Sequence, residues 1–423
     1  MHRGQHGLAA ALLAAAWLAG CAATPASEDT SPRWVASWGS AQAVPWNEFV
    51  LADGEWNDTS LRQIVSPSLS AKRLRVRVSN VHGTAPLEIS AASIGRAVRP
   101  GVPDVEAKSL QALKFDGRAG VTIPPNAEYY SDPVDLEHAA AGNLAITLHF
   151  PKAPAGQSAH PGSRTTSFFA RGNRVSEAAW ADATRRVGWW QVADLEVQAP
   201  RDVGLLVAIG DSITDGHGAT TDGNDRWTDA LVHRMRREGF GPMAVVNMGI
   251  GGNRLLNVSL GHNTVSRFDR DVLMRAGVTH AIVQIGINDL GALHRNRPAG
   301  DTPEAREQLL EALKTGFRQI AERARASGVC ILGATLVPYI GSDYYKPTPD
   351  NDAVRLKLND WIRNSGTFDA IVDFDAAIRD PANPERMRKE YSHDWLHPSP
   401  AGFRAMADAV PLPALARRCS GTR

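Results

Sequence analysis

Polar and apolar positions change rhythm once along the chain, close to residue 200. From about Arg33 to Glu196 the period is two. Leu74-Arg75-Val76-Arg77-Val78 and Leu144-Ala145-Ile146-Thr147-Leu148-His149-Phe150 alternate, and turn signals such as His82-Gly83, Asp116-Gly117 and Pro124-Pro125 fall between runs. Alternation sends successive side chains to opposite faces of a pleated strand, so residues 33–200 are expected to form an all-β, sandwich-like domain. From Gly204 the pattern becomes short apolar runs alternating with helical segments. The runs are Gly204 to Ile209, Ala244 to Asn247, His280 to Ile285, Val329 to Leu336 and Ala370 to Val372. Between them Trp227, Leu231 and Met235 recur at helical spacing. A long helix is expected after Thr302 as N-cap, with Pro303 as its first residue and Gly328 past its end. Buried strands joined by crossover helices give a parallel sheet covered on both faces. Residues 201–423 are therefore expected to be an α/β domain, flavodoxin-like and three-layered, with a parallel five-stranded sheet.

A length of 423 residues agrees with two domains, because one hydrophobic core rarely serves so long a chain. The first residues read differently. Arg3 and His6 precede the apolar run Leu8 to Trp17, which is long enough for a signal-peptide core and too short to span a bilayer. Leu18-Ala19-Gly20-Cys21 follows and looks like a bacterial lipobox. Residues 1–21 are expected to be a signal peptide with Cys21 lipidated, and residues 22–32 a polar tether. Ordinary cleavage near Ala23 or Ala26 is the alternative. With Ala22 rather than Asp after the cysteine, resemblance to Gram-negative lipoproteins implies the outer membrane, so the membrane contact would be through the lipid alone. Two cysteines then remain. Cys330, inside Val329-Cys330-Ile331-Leu332, reads as a small buried apolar residue or as the partner of Cys419 in a disulfide. No Cys/His cluster has metal-ligand spacing, so no metal site is expected. With 46 basic and 45 acidic residues there is no electrostatic case for nucleic acid as a partner. Arg236-Arg237 and Arg417-Arg418 read as solvated surface.

Four short blocks carry the chemistry: Gly210-Asp211-Ser212-Ile213-Thr214, Gly251-Gly252-Asn253, Gly286-Ile287-Asn288-Asp289 and Asp394-Trp395-Leu396-His397. A Gly-Asp-Ser tripeptide alone arises by composition in roughly one chain in ten of this length, so it decides little. Position decides more. Ser212 follows the first expected strand, Gly252 the second, Asn288 the third, and Asp394 with His397 comes after the last. Ligands of open parallel sheets bind outside the carboxyl ends of the strands, so all four blocks reach one rim. Ser212 is the expected nucleophile, a hydroxyl that needs a base beside it. His397 is that base, since an unperturbed imidazole titrates near ~6.5. Asp394, three residues earlier, would hold its Nδ1 proton. The Ser212 amide, the Gly252 amide and the Asn288 side chain would donate to an oxyanion.

At these residues the chain resembles the SGNH, or GDSL, hydrolase superfamily, over roughly Leu205 to Val410. The strings Gly-Asp-Ser-Ile-Thr-Asp-Gly, Gly-Ile-Gly-Gly-Asn-Arg-Leu-Leu, Gly-Ile-Asn-Asp-Leu-Gly and Asp-Trp-Leu-His-Pro-Ser, behind an N-terminal β-domain, look like the bacterial two-domain xylan-esterase-like branch. The resemblance implies a serine esterase, needing no cofactor, that removes small acyl groups from carbohydrate. Its partners would be an acylated carbohydrate or a small ester. Short-chain lipase, thioesterase or acyltransferase activity is the enzymatic alternative, and an envelope glycan-binding lipoprotein the non-enzymatic one.

Neighbouring residues carry weaker expectations. Asp211 and Asp215 read as acceptors that fix the nucleophile loop, and Asp289 as a support for Asn288. His393 reads as a surface residue, and Arg254 as the partner of an aspartate or of a substrate carboxylate. Tyr339, Tyr344 and Tyr345 fall on the catalytic rim as pocket residues. Seven of the eleven tryptophans, at 34, 38, 46, 56, 180, 189 and 190, fall between Arg33 and Glu196. They read as core and inter-domain contacts, with Trp38 or Trp190 as a stacking surface for a sugar ring.

Overall fold

Residues 31–296 and 298–419 are described by a computed structural model. Cys21, the lipobox and most of the expected tether lie outside the described residues. Pro32–Arg423 constitutes one compact unit. Among the described residues no helix is long and apolar enough to cross a membrane.

The strands before residue 200 pair antiparallel in two main sheets. One is built on Arg33–Gly39, Val192–Ala199 and Ala71–Ser79; the other runs Thr184–Val187, Thr166–Arg171, Thr59–Val65, Leu144–Phe150, Ala91–Arg96, Gln111–Leu113. Leu61, Ile146 and Leu148 of the second sheet and Val76, Val78 and Leu195 of the first enter one apolar cluster. The alternation in Leu144–Phe150 does not mean a wet face, since all seven residues are buried. Its outer side is covered by a smaller cluster around Ala145, Phe168 and Trp180. There Arg62 lies over the Trp180 ring and donates from Nε to Thr147 Oγ1 at 2.9 Å.

After residue 200 the strands are parallel, in the spatial order Met243–Gly249, Gly204–Gly210, Val278–Gln284, Cys330–Ala334, Ala370–Val372. In chain order this is 2-1-3-4-5, the doubly wound arrangement whose carboxyl ends share one edge. Every residue of the first and fourth strands is buried. The long helix Pro303–Ala326 starts as expected, with Thr302 Oγ1 accepting from the Ala305 amide. Its inner face presents Leu313, Phe317 and Ile320 to the core. Cys330 and Cys419 are joined in a disulfide, with Cα atoms 5.2 Å apart, so Cys330 is not a free buried thiol.

The antiparallel and parallel halves are tied by shared core and by buried charge. Val35 and Ala36 of the first strand belong to the apolar cluster of the parallel half. Asp194, wholly buried, accepts from Arg77 of its own half and from Arg275 Nη1 of the other at 2.6 Å. Arg275 continues to Asp271, and Asp271 to Arg267 at 2.9 Å. Arg267 then donates to the carbonyls of Met248 and Gly210, where the first two parallel strands end. A charged network this deep is tolerated because each member has partners.

Candidate active site

At the carboxyl ends of the parallel strands the chain turns tightly. Asp211 caps the short helix Ser212–Asp215, its Oδ1 accepting from the Ile213 amide at 3.0 Å. The cap leaves Ser212 at the helix start. Burial pushes the Asp211 carboxyl up to about 7, partly countered by the Ile213 amide. Its second oxygen has no partner among the described residues. Asp394 and His397 meet through a local turn in which Trp395 takes a φ of 64°. One Asp394 oxygen accepts from the Leu396 and His397 amides, at 3.1 and 2.7 Å, and the other lies 2.8 Å from His397 Nδ1. The carboxylate that orients the ring is thus itself held by the turn that brings the ring back. Burial works against its charge, but the His397 ring and the two amides more than offset this and hold Asp394 well below the usual carboxylate range.

His397 Nε2 lies 2.9 Å from Ser212 Oγ, and both residues are buried. A hydroxyl held against an imidazole, with a carboxylate on the far ring nitrogen, can lose its proton as the oxygen attacks. Ser212, Gly252, Asn288, Asp394 and His397 all line one cleft of about 820 Å³. Gly252 has a φ of 68°, a left-handed conformation suited to glycine. Asn288 is oriented from both ends: Tyr345 Oη donates to its Oδ1 at 2.7 Å, and its Nδ2 donates to the Asn253 carbonyl at 2.8 Å. One amide N–H of Asn288 remains for a ligand. Tyr345 is where the rim tyrosines matter, since burial raises its hydroxyl and keeps it a donor.

Asp289 accepts from the Leu255 and Leu256 amides, which shapes the loop after Gly252 and leaves its carboxyl, raised to about 6 by burial, away from Ser212. His393 is exposed. Arg254 forms no ion pair among the described residues, and its buried Nε has no partner. Tyr344 and Tyr345 line the cleft, whereas Tyr339 is fully buried in the core and does not. Trp38 and Trp190 are also misplaced by the sequence reading: they are 7% and 0% exposed, and neither lines the cleft. Trp190 instead donates its indole N–H to the Phe49 carbonyl at 3.3 Å, beneath an aromatic pair of Phe49 and half-buried Trp46 that does line it.

The antiparallel half supplies cleft residues that no motif announced: Trp46, Phe49, Glu55, Arg164 and Arg186. Arg186 pairs with Glu55 at 2.8 Å. Arg164 Nη2 donates to Nδ1 of His217, whose ring centroid lies 4.0 Å from that of His397. Burial, then His397 and Arg164, lowers His217 to about 4, so it is neutral at physiological pH and leaves the base's charge alone. Among the described residues His217, Asp394 and His397 offer ligand atoms within 4.8 Å of one another. These atoms already serve Ser212, each other and Arg164, and the guanidinium beside them opposes a cation.

Residues 208–405 match the model of the GDSL-like Lipase/Acylhydrolase family. That span is a domain of this family, and the enzyme is a carboxylic ester hydrolase. No curated protein matches the chain. Solved structures similar to it include a GDSL-like lipase from Bacteroides thetaiotaomicron VPI-5482, at 16% identity, covering 50% of this chain and 87% of the other with a TM-score of 0.36. A carbohydrate acetylesterase family member from Sinorhizobium meliloti is 16% identical over 50% of this chain and 97% of its own, with a TM-score of 0.37. An alpha/beta hydrolase enzyme from the metagenome of Lake Arreo, Spain, is 21% identical over 50% and 94%, with a TM-score of 0.35.

Proposed function

We propose that this enzyme is a serine esterase that removes small acyl groups, acetyl above all, from carbohydrate through an acyl-Ser212 intermediate. The observation that carries the reaction is the run of contacts from Ser212 Oγ to His397 Nε2, 2.9 Å, and from His397 Nδ1 to Asp394, 2.8 Å. Ser212 Oγ attacks the acyl carbonyl carbon while His397 Nε2 takes its proton, and the carbonyl oxygen becomes an oxyanion facing the Ser212 and Gly252 amides and the Asn288 side chain. The intermediate collapses, breaking the bond to the leaving oxygen, which takes the proton from His397. Water then repeats the sequence on the acyl-serine and releases the acid.

Carbohydrate as the leaving group is supported by the wall opposite the triad. Trp46 and Phe49 offer apolar ring surface, and Arg164, Arg186 and Glu55 offer hydrogen bonds, around a cleft with room for far more than an acetyl group. On this reading the antiparallel half is a sandwich-like domain, as in the two-domain xylan-esterase-like branch, and the parallel half a flavodoxin-like three-layer catalytic domain. Export and outer-membrane anchoring through Cys21 are part of the proposal and rest on Leu18-Ala19-Gly20-Cys21 alone. Acetate release from acetylated xylan, alongside a p-nitrophenyl ester series of rising chain length, tests the function. The expectation is release that Ser212→Ala abolishes and a sharp fall beyond butyrate. Preference for long acyl chains would make the enzyme a lipase instead.

A further inference from the structure

His160 and Asp215 form a pair across the two halves that no sequence motif connects. His160 ends the short strand Ala159–His160, and Asp215 ends the helical turn that begins at Ser212. They are 55 residues apart in sequence and 5% and 4% exposed. His160 Nε2 lies 2.8 Å from Asp215 Oδ1, and its Nδ1 lies 2.9 Å from the Ala41 carbonyl. Trp189 stacks on the ring, with centroids 5.6 Å apart and planes 26° apart. The other Asp215 oxygen accepts from the Gly251 amide at 3.0 Å.

Hydrogen-bond bookkeeping fixes this chain of contacts. A carbonyl only accepts, so Nδ1 carries a proton toward Ala41, and the contact at Nε2 holds a further proton between ring and carboxylate. The ring cannot flip without placing carbon against two acceptors. Gly162, two residues on, leaves room for the same carboxylate, since a Cβ there would lie 1.8 Å from Asp215 Oδ2, the oxygen that accepts from Gly251. What the pair holds matters because Gly251 and Gly252 adjoin, and neither has a side chain to fix its backbone. Two glycines in succession have the widest conformational freedom, and the second must aim its N–H at the oxyanion.

We propose that His160 is a positioning residue of the active site: through Asp215 it pins the Gly251 amide, and so sets the direction of the Gly252 N–H. The proposal rests on the serine-esterase reading above. The antiparallel half then contributes to transition-state binding and not only to substrate contact.

The test uses the whole protein with p-nitrophenyl acetate as substrate and phenylboronic acid as inhibitor, since the boronate adduct of a serine reproduces the tetrahedral anion. His160→Ala should lower kcat on the order of 30- to 100-fold, as expected when a donor is misaimed, with KM changed less than about twofold. The inhibition constant for the boronic acid should rise in step with the loss of kcat. His160→Gln, whose amide can still donate to Asp215, should recover most of the rate. Asp215→Asn, which keeps an acceptor for Gly251, should stay well above Asp215→Ala, and this second pair serves if His160→Ala does not fold. A kcat within about twofold of wild type in His160→Ala or Asp215→Ala, a defect confined to KM, or an unchanged boronate constant overturns the proposal. If Ser212→Ala is dead while His160→Ala is unimpaired, only the positioning role falls. If Ser212→Ala hydrolyses as fast as wild type, the serine-esterase reading falls and takes this proposal with it.

Discussion

The parallel half and the antiparallel half both reach the cleft, and they do so by different logic. Ser212, Gly252, Asn288, Asp394 and His397 all arrive at carboxyl ends of parallel strands, where topology alone collects them. Trp46, Glu55, Arg164 and Arg186 arrive from loops, a short helix and a short edge strand of the antiparallel half, and no rule of that architecture sends them there. The difference separates two kinds of specification. Reaction chemistry follows from fold and is written in contiguous blocks. The wall that meets the rest of the substrate follows from how the two halves dock, and docking is fixed by contacts such as Asp194 with Arg275.

Breaking that docking should have the largest effect on stability. Asp194→Ala would take from Arg77 and Arg275 the buried carboxylate they share, leaving them only the longer pairs with Glu128 at 3.3 Å and Asp271 at 3.4 Å, and is expected to cost about 3–5 kcal/mol in denaturant unfolding. A single transition at lower denaturant would mean that the halves unfold together; two transitions would mean that the contact is what couples their unfolding. Next in size, Asn288→Ala should cost about 3 kcal/mol in kcat/KM on every ester alike, since in the proposed mechanism it removes an oxyanion donor supplied by the parallel half. Trp46→Ala should be smaller and selective. Its KM for acetylated xylan should rise roughly five- to tenfold, about 1 kcal/mol, while p-nitrophenyl acetate is hydrolysed as before. An equal loss on both esters would erase the division between the halves.

The smallest effect concerns pH. Asp211 is raised to about 7 in the folded state from an ordinary 3.8, so its contribution to stability is full below about pH 4 and is lost as pH rises through about 7. Asp211→Asn keeps the acceptor for Ile213 and has no charge to bury. Its melting temperature should match wild type near pH 4 and exceed it at pH 8. Identical pH profiles would refute the burial of that charge.

The parallel sheet and its rim were legible because strand runs, caps and catalytic residues are short-range signals. Thr302 caps its helix and Asp394 finds His397 within one turn, which spacing can foretell. The opposite wall was not. Trp38, Trp46 and Trp190 are equivalent as letters, and only the packing of two sheets decides that Trp46 is left facing the cleft. His160 with Asp215 and Arg164 with His217 pair across 55 and 53 residues, and a period-two pattern says nothing about such partners. Cys330 stayed ambiguous for the same reason, since proximity to Cys419 is a property of the folded tail.

That tail has a mechanical consequence. The Cys330–Cys419 bond joins residues 89 apart in sequence and closes a ring that contains Asp394 and His397. Tension applied at the C-terminus therefore enters at Cys419 and passes directly into the fourth parallel strand, bypassing the helix Pro400–Ala409 and the turn before it. The segment bearing acid and base sits off the load path. Tugging the chain from that end would strain the sheet before it disturbed the geometry around Ser212.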